Sequence, residues 1–101
     1  MNDSALIVLV VEKQYQHSIV DALINFDHAS GFTLFEVNGF SQSHHHYDLS
    51  EQVRGHRKMI RIEVIIKDEN RQNLFDLLSD IPKREPFHYW VYPVLSEGRL
   101  E

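Results

Sequence analysis

The chain has 101 residues, 15 of them acidic and 10 basic, with a formal charge of −5, seven histidines and no cysteine. That length fits one domain with one core, the missing cysteines exclude disulfides and thiolate metal ligands, and the acidic balance excludes nucleic-acid binding over the whole surface, which needs clustered Lys and Arg.

Residues 5–12 form a nearly continuous apolar run rich in Val and Ile, the pattern of a strand buried on both faces in the middle of a sheet. The run follows Asn2, Asp3 and Ser4 rather than positive charge, and it is far shorter than the roughly 20 residues that span a bilayer. It is expected to be neither a signal peptide nor an inserted segment, and the protein is expected to be cytoplasmic. From Lys13 the period changes: Tyr15, Ile19, Ala22, Leu23 and Phe26 fall on one helical face, and the helix is expected to end near Gly31.

Residues 32–42 read as a second strand, with Phe35 and Val37 on one face and Glu36 and Asn38 on the other; Gly39 marks a bulge or a close backbone approach. In a third strand, Ile60, Ile62, Val64 and Ile66 alternate with Arg61, Glu63 and Lys67. Asp68 is placed to cap a second amphipathic helix carrying Leu74, Phe75, Leu78 and Ile81, stopped at Pro82. Residues 87–94 form a last, aromatic strand, and Pro93 makes it an edge or ends it.

The order βαββαβ with right-handed crossovers predicts an α+β, ferredoxin-like two-layer sandwich with both helices on one face of the sheet. Strand one is apolar on both sides and strand four offers His88, Trp90 and Tyr92 to the uncovered face, so that face is expected to meet another subunit.

Several stretches resemble a known family. Gly31-Phe32-Thr33-Leu34-Phe35-Glu36-Val37-Asn38-Gly39-Phe40 resembles the second strand of PII-type nitrogen signal-transduction proteins, where it runs into their T-loop. Arg61-Ile62-Glu63-Val64-Ile65-Ile66 is similar to their third strand, and Val91-Tyr92-Pro93-Val94 with Arg99 to their closing strand and C-terminal arginine. The resemblance covers nearly the whole chain as a single domain, residues 1–101, with a T-loop-like arm at about 43–58. It implies a regulatory homotrimer whose sheets face its centre, whose arms project from it, and whose arms engage a protein partner such as a membrane transporter.

The family's nucleotide features are altered. Pro82-Lys83-Arg84-Glu85-Pro86 has no glycine where a Gly-rich loop wraps phosphates, so backbone amides cannot cradle them there in the same way, and Ser43 replaces the T-loop's ligand glutamine. ATP is expected to bind weakly or not at all, unless Lys83, Arg84 and Arg99 form a substitute cradle. What remains resembles the divergent PII-like branch associated with heavy-metal efflux systems.

The arm carries His44, His45, His46 and His56. On an extended segment residues i and i+2 point the same way, about 6.6 Å apart, so His44 and His46 can reach one ion. If Phe35 and Val37 pair over Ile62, Val64 and Ile66, His45 and Tyr47 lie on the side of His56. Imidazoles with Asp48 or Glu51 suit zinc, copper, nickel or cobalt. The competing reading is a solvated or partner-contact arm presenting Tyr47, Arg54 and Arg57. The local basic cluster of Arg54, Arg57, Lys58 and Arg61 is either a solvated hairpin leg or an anion site. His17, His28 and His88 read as surface or packing residues.

A small ferredoxin-like hydrolase, with a histidine base and Arg54 and Arg57 as electrophiles, is the enzymatic alternative. No nucleophile sits in a strand-turn-helix elbow. No catalytic residue is therefore assigned, and the protein is expected not to be an enzyme.

Overall fold

The computed structural model describes residues 3–29, 31–40 and 56–101. Strand β1 (Ser4–Glu12) leads through a 3-10 turn (Lys13–Tyr15) into helix α1 (Gln16–Ile24) and strand β2 (Phe32–Gly39). Strand β3 (Arg57–Lys67), a second 3-10 turn (Asp68–Asn70), helix α2 (Arg71–Ser79) and strand β4 (His88–Pro93) follow. The strands form one sheet in the order β2-β3-β1-β4, antiparallel at every pairing. This is the expected ferredoxin-like α+β arrangement.

The apolar run of β1 sits between β3 and β4, and its two faces are buried by different means. Ala5, Ile7, Leu9 and Val11 join Ile60, Ile62, Val64 and Ile66 of β3 under Ile19 and Leu23 of α1 and Leu74 and Leu78 of α2. Val8 points the other way and is still 0% exposed. Its ladder neighbours are Glu63 on one side and Trp90 on the other. That second face carries no helix, and leaves Phe35, Ile65 and Tyr92 among the exposed large hydrophobic residues.

Helix α1 is shorter than its periodicity suggests. It ends at the cap residue Asn25, whose side-chain amide donates to the Asp21 carbonyl at 2.9 Å and so competes with the backbone for that acceptor. Phe26 still packs on the core from beyond the helix. Asp68 does not cap α2. It lies in the preceding 3-10 turn, its amide donates to the Asp3 carbonyl at 2.8 Å and its carboxylate pairs with Arg71 at 3.2 Å. β4 is an edge strand and ends on Pro93, as the missing donor requires.

Two expectations about the β2–β3 pair change. The register joins Phe35 to Arg61 and Val37 to Met59, so odd residues face odd residues and both side chains lie on the helix-free side, away from Ile62, Val64 and Ile66 in the core. The grouping of His45 and Tyr47 with His56 assumed the opposite parity and loses its premise; residues 41–55 themselves lie outside the described residues. Gly39 makes no bulge, because the ladder continues through Gly39 and Arg57. It is a close approach: a Cβ there would lie 2.6 Å from Met59 Cγ.

Gly39→Ala is therefore expected to destabilise the fold by about 1–3 kcal/mol through overpacking. Met59→Ala in the same chain removes the clashing atoms, so urea denaturation of the two single variants and the double variant should give a non-additive cycle. Additive losses would show that the clash is not the cause.

Candidate functional site

The β2–β3 ladder brings together the two points where residues 41–55 leave and rejoin the sheet. At these roots the rings of Phe40 and His56 lie 5.4 Å apart, tilted by 41°. Phe40 is 75% exposed. The next residue, Arg57, is held more firmly, since its side chain is only 11% exposed.

Arg57 enters a four-residue charge cluster built from three parts of the chain. Its guanidinium lies 3.6 Å from Glu12 at the end of β1 and 3.4 Å from Glu85 in the α2–β4 connection. Arg84, from the same connection, reaches both oxygens of Glu12 at 2.9 and 3.1 Å. The Arg84 amide donates to the Tyr15 hydroxyl at 2.8 Å, and the Tyr15 ring stands edge-on to Phe87 at 5.1 Å. Glu12, facing it, raises the Arg84 guanidinium further above its ordinary range. Two carboxylates and two guanidiniums balance one another, and Glu12, whose side chain is 14% exposed, is the shared acceptor. The cluster fastens the C-terminal root of the arm to β1 and to the α2–β4 connection.

Elsewhere on the surface, Lys13 pairs with Glu36 and holds its carboxyl below the usual range, with a smaller contribution from Lys58. Arg61 lies on the helix-free face, 3.0 Å from Glu63 and 5.6 Å above the centre of the Trp90 ring.

The residues singled out in the sequence are thus distributed unevenly. His44, His45, His46, Tyr47 and Arg54 lie outside the described residues, as does Ser43. His56 rests against Phe40, and among the described residues no group of three His, Cys, Asp or Glu side chains is placed to hold a metal ion. The described members of the basic cluster do not converge on one anion: Arg57 turns to Glu12 and Glu85, Arg61 to Glu63 and Trp90, and Lys58 is exposed.

Of the three residues of the substitute phosphate cradle, two are held by groups of this chain. Lys83 donates to the Leu78 and Ser79 carbonyls at the end of α2, at 3.1 and 3.2 Å, and Arg84 is engaged by Glu12. Arg99 is exposed in the tail after β4. His17 and His28 are exposed as expected, the latter beside Phe26, and His88 stands edge-on to Trp90 at 5.6 Å.

Sequence reasoning missed Glu12, Tyr15 and Glu85. A glutamate closing an apolar strand is unremarked on its own, and its partner Arg84 is 72 residues away. No local periodicity records such a pairing.

The family described as "Protein of unknown function (DUF3240)" matches residues 1–101. The chain belongs to that family. A crystal structure of a DUF3240 family protein from Shewanella baltica OS155 has a TM-score of 0.82 at 28% identity, with 100% of both chains covered. Arabidopsis thaliana PII bound to citrate has a TM-score of 0.66 at 13% identity, over 93% of this chain and 77% of that one. The second likeness is one of fold, and it agrees with the PII-like strands read from the sequence. No curated protein matches the chain.

Removing the shared carboxylate tests the cluster. Glu12→Gln should lower the unfolding free energy by about 1–3 kcal/mol, the range for depriving a shielded polar group of its partner, because the shielded Arg57 guanidinium keeps its charge and loses the negative charge 3.6 Å away. Arg84→Ala should cost less, since Arg84 is largely solvated with a side chain 67% exposed. Equal losses in chemical denaturation would show that Glu12 acts through Arg84 rather than through Arg57.

Proposed function

We propose that the protein is a PII-like regulatory binder that associates through the helix-free face of its sheet and acts on a partner through the segment between β2 and β3. The helix-free face itself carries this reading. Val8 is fully buried there without a covering layer, beside exposed Phe35, Ile65 and Tyr92, and a face of that kind in a PII-like fold marks an association surface. The order of association favoured is a homotrimer, the symmetry that the PII resemblance implies, with three arms presented together.

The role is one of binding rather than catalysis. Arg57, the described electrophile that a hydrolase would use, is clamped between Glu12 and Glu85, which favours a positioning role. Adenine nucleotide is the less favoured ligand, since the connection from Pro82 to Pro86 has no glycine and Arg84 is engaged by Glu12. The finer reading of the arm is a transition-metal response through His44 and His46, with His45 and His56 nearby in sequence, in a heavy-metal context. Its support is the histidine content of the arm, and zinc, copper, nickel and cobalt are the ions that suit it.

Light scattering at micromolar protein should give the mass of three chains. Ile65 is 42% exposed on the helix-free face, so Ile65→Glu should leave the protomer folded and dissociate the assembly. A monomer mass for the parent protein sinks the association reading.

For the metal reading, calorimetry should show binding lost in His44→Ala/His46→Ala and kept in His17→Ala/His28→Ala. Neutral imidazole is the ligand, so affinity should fall below about pH 6. Equal loss in both pairs removes the arm as the metal site.

A further inference from the structure

A second feature of the α2–β4 connection lies on the helix side of the sheet, away from the proposed association face. A cavity of about 540 Å³ opens between α2 and β4, within the roughly 300–1,000 Å³ of small-molecule sites. Leu9 and Leu78, 2% and 5% exposed, belong to its lining. Phe75 and Tyr89, with ring centres 4.6 Å apart, form one wall, and Phe87 and Pro86 also line it. Tyr89 is 50% exposed, so this aromatic surface is open to a ligand.

Lys83 gives the cavity its polarity. An ammonium has three donors, and Lys83 uses two of them on the Leu78 and Ser79 carbonyls. Its Nζ lies 4.6 Å from the centre of the Phe87 ring, at the lining of the cavity. No carboxylate of the described residues pairs with it; Glu85, the acidic residue of the lining, is drawn to Arg57 instead. The two carbonyls hold the ammonium in place without neutralising it. A fixed cation with a spare N–H, beside an apolar aromatic cavity, is complementary to an amphipathic anion.

We propose that this cavity binds a small aromatic carboxylate, its ring among Phe75, Phe87 and Tyr89 and its carboxylate accepting the remaining N–H of Lys83. The inference names a ligand class for the regulatory reading above and rests on it only for its purpose. Binding itself is tested without reference to the arm or the assembly. The ring is held by apolar contact and edge interactions, and the carboxylate by a charge-assisted hydrogen bond.

The test is nuclear magnetic resonance titration of the full chain with phenylacetate, and with phenylacetamide as the uncharged control. Phenylacetate should shift the resonances of Leu78, Phe87 and Tyr89 in a saturable way and bind about ten-fold more tightly than the amide, the factor carried by 1.4 kcal/mol. Lys83→Met keeps the stem over Phe87 and removes the charge. It should lose that preference while still binding the amide, and the amide result shows that the variant is folded.

Acid and amide binding with equal strength in the parent, or no saturable shift at millimolar ligand, overturns the proposal. So does a shift of the cavity resonances with protein concentration alone, which would mean that a second copy fills the cavity. The ligand results do not bear on the light-scattering test, and a concentration shift at the cavity with none at Ile65 or Tyr92 separates a copy in the cavity from association through the helix-free face, so failure here and failure of the association reading are distinguishable.

Discussion

The ladder between β1 and β3, running from Ser4 opposite Lys67 to Glu12 opposite Met59, is the contact that organises the fold. It aligns Ile7 with Val64 and Leu9 with Ile62, so two apolar stripes become one surface on which both helices rest. It also turns Val8 to the other side, where it is buried with no helix above it. An apolar strand with water on either face would lose much of its burial, and a central position between two neighbours is the arrangement that avoids this. The edge positions are left to β2 and β4.

The same ladder sets where the charges meet. Since β1 ends at Glu12 opposite Met59, its last carboxylate arrives beside Arg57, two residues before Met59 and at the root of the arm. The α2–β4 connection then adds Arg84 and Glu85 from the side. Single surface ion pairs contribute little, but this group shares an acceptor that is mostly shielded from water and includes a shielded guanidinium. Its consequence is geometric: the rigid end of the sheet and the α2–β4 connection are fastened to the residue at the C-terminal root of the arm. The helix-side cavity borders that same connection, so a ligand there would touch residues already linked to the arm root through Glu85 and Arg84.

The two faces of the sheet therefore divide the work. The helix side supplies the core, with Ile19, Leu23, Leu74 and Leu78 over the strands, and a cavity at the margin between α2 and β4. The other side supplies a surface of Ile65, Phe35 and Tyr92, with Val8 buried beneath it, interrupted by the Arg61–Glu63 pair and the Arg61–Trp90 contact. Apolar ground crossed by a few fixed charges suits specific association, because mismatched partners would leave those charges unpaired.

Local pattern was enough to establish the elements, their order and the fold class. The two-sided apolar run of β1, the alternation in β3, the helical spacing of Leu74 and Leu78 and the Pro93 stop are features whose period follows from backbone geometry. Helix ends were less legible, because Asn25 and Asp68 act through side-chain bonds that compete with simpler caps. The β2–β3 parity emerged only in three dimensions, since a one-residue change of register exchanges the faces of every side chain and both Phe35 and Ile62 are apolar enough to fit either. The roles of Glu12, Tyr15, Lys83, Arg84 and Glu85 emerged there too. Charge attraction acts through space and leaves no period along the chain, so a glutamate at the end of one strand and an arginine beyond the last helix become partners only when the fold places them together.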